Sequence, residues 1–200
     1  MQVSRRLLWI FVFVLFGLAS NARAEQTIVF FRHAEKPASG LGQLTCQGLN
    51  RAIQLPDVLF SRFGKPDWGY APNPTTKIPD ASGSYYYVRP LATIEPAAIR
   101  AGLSVNTKYG YTEISGLQSL LITPSKADST IFVAWEHENL VKVVQSILNA
   151  YGRGEKVPAW VTGDYDSLYV LRLNYSSNGS ISARFEHEFE GLNNQPTSCP

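Results

Sequence analysis

The stretch Phe30-Phe31-Arg32-His33-Ala34-Glu35-Lys36-Pro37 decides how this sequence is read. A run of β-forming residues from Thr27 to Arg32 carries an arginine, and directly after it a histidine, to the lip of a hydrophobic strand, in a chain with only three histidines. Ligands of open α/β sheets sit beyond the carboxyl ends of the strands, so a guanidinium and an imidazole at such an exit mark a candidate site. The apolar stretch Thr130 to Trp135 ends similarly, running into Glu136 and His137. If the two strands are parallel neighbours, both histidines face one crevice. The third histidine, His187, stands between Glu186 and Glu188 and reads as a solvated strand residue.

Working outward from these strands, segments rich in Val, Ile, Phe and Tyr alternate with helical patterns, the order of an α/β layered domain rather than a β sandwich. A helix is expected from Thr45, a competent N-cap, to about Phe63, kinked or divided at Pro56. Asp67 to Tyr70 reads as a short strand, and Ala71 to Ser84, crowded with Pro, Asn, Thr, Ser and Gly, as a long loop of the kind that carries function or mobility. Further helices are expected over Leu91 to Ala101, stopping at Gly102, over Ile114 to Leu121, and over Leu140 to Tyr151. Leu103 to Thr107 is a short strand, and Ser167 to Leu173 with Ile181 to Phe189 a closing pair turning at Asn178-Gly179.

Residues 1–24 read as a secretory signal: Arg5 and Arg6 precede an apolar run from Leu7 to Leu18 that ends near Ala22-Arg23-Ala24. The run is short of the roughly 20 residues a membrane span needs, so cleavage after Ala24 and no stable membrane association are expected. The Ser4-Arg5-Arg6 start faintly suggests a twin-arginine leader, but the strong apolar core favours the general export route, to a periplasmic or secreted location. The remainder, 25–200, is 176 residues, enough for one domain with a real core. Losing Arg5, Arg6 and Arg23 takes the formal charge from +2 to about −1, so no nucleic-acid or anionic-membrane partner is implied. The two cysteines, Cys46 and Cys199, would meet an oxidising compartment; the sequence leaves open whether they pair. Without a nearby His pair they form no zinc signature.

Taken together, the motifs resemble the histidine phosphatase superfamily, which includes phosphoglycerate mutases and many acid phosphatases. Arg32-His33-Ala34 is similar to the family's Arg-His-Gly motif, with Ala for Gly, and Leu44-Thr45-Cys46-Gln47-Gly48 to its Leu-Thr-x-x-Gly helix start. Arg89 and Thr93 match its second arginine and following threonine, and His137 its second histidine. The resemblance runs in order from Thr27 to about Tyr151. It implies a single three-layer α/β domain with a mostly parallel central sheet flanked by helices, no cofactor and no metal. It also implies a small-molecule phosphoester substrate and an exported, metal-independent phosphomonoesterase.

The chemistry explains the residue types. Phosphoryl transfer asks mainly for positioning and neutralisation of charge on the equatorial oxygens, which Arg32 and Arg89 would supply as planar donor forks. His33 would attack phosphorus to give a phosphohistidine, as the family does, and His137 would donate to the phosphoryl oxygens. For the acid that protonates the leaving group the resemblance offers Glu113, by its spacing in the mutase branch, and Glu138, next to the second histidine as in the acid phosphatase branch; position favours Glu113. Glu35 and Lys36 belong at the pocket rim, as substrate contacts or as a solvated charge pair. The insertion from Ala71 to Val88 departs from the family pattern and bears on where Arg89 lies; its Tyr85, Tyr86 and Tyr87 roof the pocket or simply pack. The short connections predict an open, modest pocket and broad substrate tolerance. A phosphatase-like module that binds a phosphorylated ligand without turning it over is the alternative.

Overall fold

The computed structural model describes residues 24–200; the expected signal lies almost wholly outside the described residues. The chain order is β1 (Ala24–Arg32), α1 (Cys46–Phe63), β2 (Trp68–Tyr70), β3 (Lys77–Asp80), β4 (Gly83–Tyr86), α2 (Arg89–Ala101), β5 (Val105–Asn106), α3 (Ile114–Leu121), β6 (Thr130–Trp135), α4 (His137–Tyr151), β7 (Ser167–Tyr175) and β8 (Ile181–Phe189). Six strands form one sheet in the order β5-β2-β6-β1-β7-β8, with β5, β2, β6 and β1 parallel and β7 and β8 added antiparallel.

The side-chain alternation of β1 sets the three layers. Val29 and Phe31 point to one face, where they pack with Phe132, Ala134, Leu168 and Val170 against Leu55 and Leu59 of α1 and Ile94 and Ala97 of α2. Ile28 and Phe30 point to the other face, against Leu117 and Leu121 of α3 and Leu140, Val144 and Ile147 of α4. A strand buried on both faces is apolar throughout rather than alternating, which is why β1 and β6 are so plain in the sequence.

Several boundaries differ from the sequence reading for identifiable reasons. Helix α1 runs through Pro56 undivided, with the proline buried on its inner side. Helix α2 begins at Arg89 because Pro90, lacking an N–H, suits a first turn, and it ends where Gly102 enters the left-handed region at φ 76°. Helix α4 begins at His137, three residues early, because the Glu136 side chain caps it. The expected loop after β2 contains a hairpin instead: β3 and β4 pair Lys77 with Tyr86 and Asp80 with Gly83 across a turn at Ala81-Ser82. Cys46 and Cys199 form a disulfide that ties the start of α1 to the C-terminal tail. Among the described residues no helix is long and apolar enough to cross a membrane.

Candidate active site

Strands β1 and β6 are parallel neighbours in register, Phe31 opposite Ala134 and Arg32 opposite Trp135. The His33 amide continues the ladder, donating to the Trp135 carbonyl at 3.2 Å. Two strands leaving the sheet at one level therefore deliver Arg32-His33 and Glu136-His137 to the same place. A cavity of about 220 Å³ opens there, lined by Arg32, His33, Lys36, Arg89, Glu136 and His137 on its polar side. Ile78, Pro79, Tyr87 and Tyr111 complete the wall.

The turn after β1 is braced from two directions. Thr93 accepts a hydrogen bond from the Ala34 amide and donates to the Arg89 carbonyl, both at 2.9 Å, so one side chain couples the His33 turn to the start of α2. Thr45 caps α1 by accepting from the Gly48 amide at 3.0 Å, while its own amide donates to the Glu35 carbonyl at 2.9 Å. Gly48 is needed for proximity: a Cβ there would lie 2.4 Å from the Glu35 carbonyl oxygen. The Leu-Thr-x-x-Gly stretch is thus the surface on which the His33 turn rests.

His33 Nδ1 lies 2.8 Å from the Ala34 carbonyl. As a donor to that oxygen it leaves Nε2 unprotonated and facing outward. Burial, reinforced by Arg89, Arg32 and His137, pushes the imidazole down to about 3 despite the Ala34 carbonyl. His33 is therefore neutral, the form a nucleophile needs, at any ordinary pH. Arg32 Nη1 donates to the carbonyls of Thr162 and Asp164, and its guanidinium lies 4.3 Å from the Tyr165 ring centroid. Arg89 Nη1 donates to Asp80 Oδ2 at 2.6 Å and packs over Tyr87.

Glu136 spends its carboxylate on helix α4, accepting from the amides of Glu138 and Asn139 and from the Asn139 side chain. Burial opposes its ionisation, but these donors and the adjacent His137 hold it down to about 2. His137 Nδ1 lies 2.8 Å from Glu136 Oε1 without hydrogen-bond alignment. Among the described residues, the buried side-chain nitrogen and oxygen atoms lacking a hydrogen-bond partner are Arg32 Nε, Arg89 Nε, Tyr87 Oη and His137 Nδ1, all from residues that line this one cavity. Buried donors are almost always satisfied, so their concentration here points to an anion acceptor.

The structure brings Arg32, His33, Lys36, Arg89 and His137 together and leaves out the two acid candidates. Glu113 is exposed, outside the cavity lining, and accepts from the Gly110 amide at 2.6 Å. Glu138, in the first turn of α4, faces a separate groove with Val141, Lys142, Ala159 and Trp160. Glu35 does not pair with Lys36 at the rim. It turns inward to Arg51, which donates to it through Nε and Nη2 and also reaches Glu190 at 2.6 Å and Asp166 at 3.3 Å. Lys36 pairs instead with Asp80, at 2.9 Å. Of the three tyrosines only Tyr87 lines the cavity; Tyr85 bonds Ser82, and Tyr86 is exposed. His187 is exposed on β8 and contacts Ser167.

Two site features were missed. Asp80 carried no signal because it lies inside an apparent loop, and Glu136 was legible only as the residue before His137. Caps are usually Ser, Thr, Asp or Asn, so a glutamate cap at Glu136 carried no local signal.

The fold is shared with solved hydrolase and phosphatase structures. Over 82% of this chain and 90% of the other, it matches a mycobacterial hydrolase with a TM-score of 0.54 at 12% identity. A mycobacterial glucosyl-3-phosphoglycerate phosphatase matches over 80% of this chain and 96% of its own, with TM-score 0.52 and 13% identity. A protein described as the phosphohistidine phosphatase SixA, from Nakamurella multipartitia, matches over 82% and 95%, with TM-score 0.50 and 16% identity. No protein-family model matches the sequence, and no curated protein sequence matches it.

Proposed function

We propose that this protein is an exported phosphatase that hydrolyses small phosphomonoesters through a phosphohistidine, without a metal ion. The observation that carries this reading is the convergence, on one cavity, of a neutral buried histidine and a ring of unpartnered donors. Arg32, Arg89 and His137 would hold the three non-bridging oxygens. Nε2 of His33 would form the N–P bond as the bond from phosphorus to the ester oxygen breaks. The departing alkoxide takes a proton, which His137, lining the cavity, would donate. Water then attacks phosphorus as the N–P bond breaks, returning one proton to His137, releasing inorganic phosphate and restoring neutral His33. The leader-like residues 1–24 and the Cys46–Cys199 disulfide support a periplasmic or secreted location. The mouth of the cavity, apolar at Ile78, Pro79 and Tyr111, suits a range of alcohol groups.

One observation favours the alternative of a non-hydrolytic phosphate-binding module: neither Glu113 nor Glu138 reaches the cavity. Acid-quench labelling with a phosphorylated substrate, in the presence of chelator, separates the two. Label mapped to His33 and absent from His33→Ala supports the enzyme. Phosphate binding without label supports the module, and turnover retained by His33→Ala removes the nucleophile assignment.

A further inference from the structure

We propose that the hydroxyl of Tyr87 is a substrate-touching donor, completing the oxyanion cradle from the inserted hairpin rather than from the sheet edge. The inference rests on the phosphatase reading and deepens it. Tyr87 is the residue that follows β4, so the insertion between β2 and α2 is what delivers it. It is 1% exposed, and its Oη, although beside the Arg89 guanidinium, makes no aligned hydrogen bond within the protein and belongs to the cavity wall. A phenol buried to this degree normally finds an acceptor.

The surroundings fix where that acceptor would be. The Tyr87 ring meets the His33 ring edge-on with centroids 6.0 Å apart, lies 4.9 Å from the Arg89 guanidinium carbon, and packs edge-on against Tyr111 at 5.5 Å. The nucleophile and one arm of the arginine clamp thus both border this phenol. Burial pushes the phenol well above its ordinary value, so the group stays protonated and can only donate or accept as a neutral hydroxyl. The same hairpin carries Asp80, whose buried carboxylate binds Arg89 Nη1 and Lys36 Nζ and so anchors the hairpin beside the clamp. Close fit allows this contact: a Cβ on Gly40 would lie 1.9 Å from the Asp80 carboxyl carbon, and Gly40 adopts a φ of 85°. Asp80 acts here as a positioning residue, while Tyr87 points its hydroxyl at the phosphoryl group.

The test is Tyr87→Phe in the full chain, which deletes one oxygen and keeps the ring. Affinity for inorganic phosphate and for orthovanadate is measured by calorimetry, together with kcat and KM for an aryl phosphate and a thermal melt. Removing one preorganised oxyanion donor lowers rate by roughly 10²-fold in comparable sites. A fall of 10-fold or more in kcat/KM, a matching or larger loss of vanadate affinity, and an unchanged melt are expected. Tyr85→Phe, whose hydroxyl bonds Ser82 on the same hairpin, should alter none of these. Values within twofold of the unmutated protein in Tyr87→Phe, or an equal loss in Tyr85→Phe, overturn the assignment. Unmutated protein that yields no phosphohistidine sinks the phosphatase mechanism instead, while the comparison of phosphate affinities still decides the role of Tyr87.

Discussion

Replacing Arg51 by Met should cripple the fold at neutral pH and spare it in acid. Arg51 is 1% exposed and faces Glu35, Glu190 and Asp166 within 3.3 Å, one cation among carboxylates drawn from the His33 turn, the residue before β7 and the residue after β8. Removing one member of a buried ion pair costs about 3–5 kcal/mol, because the partner charge is left uncompensated. For a domain of this size each kcal/mol moves Tm by roughly 2–4 °C, so a drop of about 6–20 °C is expected at pH 7. The pH dependence follows from the carboxyls. Burial pushes Glu190 up to about 8 even with Arg51 present. A carboxyl raised on folding favours the native state below its unfolded value, near 4.5, and loses that contribution as pH rises through its folded value. Without Arg51, which holds Glu190 down, the Glu190 carboxyl rises further, so the deficit of Arg51→Met should be largest above pH 8 and shrink as pH falls toward 5. Adding Glu190→Gln should recover part of it at pH 7. Denaturant melts across this range provide the assay; a deficit below 1 kcal/mol, or one that does not vary with pH, refutes the reasoning.

Gly48→Ala should leave the protein folded but damage catalysis. The new Cβ meets backbone atoms of Glu35 at 2.4 and 2.9 Å; overpacking of this kind costs about 1–3 kcal/mol, partly offset by about 1 kcal/mol of helix propensity, whereas displacing the His33 turn by 1 Å can cost about 100-fold in rate. Steady-state kinetics beside a melting curve distinguish the two effects. Joint replacement of Cys46 and Cys199 by Ser should lower stability by about 2–5 kcal/mol with KM unchanged, since the disulfide lies outside the cavity lining. The acid limb of kcat/KM should show no ionisation of the nucleophile at the ordinary histidine value near 6.5, because His33 stays neutral down to about 3; an acid limb near 6.5 that persists when every other group titrating there has been replaced contradicts the burial argument.

How much was legible depended on whether the signal was local. The buried strands β1 and β6 announce themselves as apolar runs, and the exits at Arg32-His33 and Glu136-His137 are written at their ends. Helix α3 and strand β6 occupy the spans expected of them because packing and local preference agree there. The hairpin β3–β4 was hidden because Pro79 and the small residues around Ala81 look like loop, while its stability comes from cross-strand pairing and from Asp80 docking onto Arg89 and Lys36.

By itself the order of residues determined the α/β layering, the two strand-end histidines and the Thr45 cap, since each is set by neighbours within a few positions. Only the tertiary structure decided which charged groups meet. Glu35 turns to Arg51 rather than to its neighbour Lys36, Asp80 rather than a solvent ion holds Arg89, and Glu113 and Glu138 fall outside the cavity. Partners of a buried charge are selected by the shape of the whole packed chain, because a charge without an acceptor in low dielectric is costly wherever along the sequence that acceptor lies.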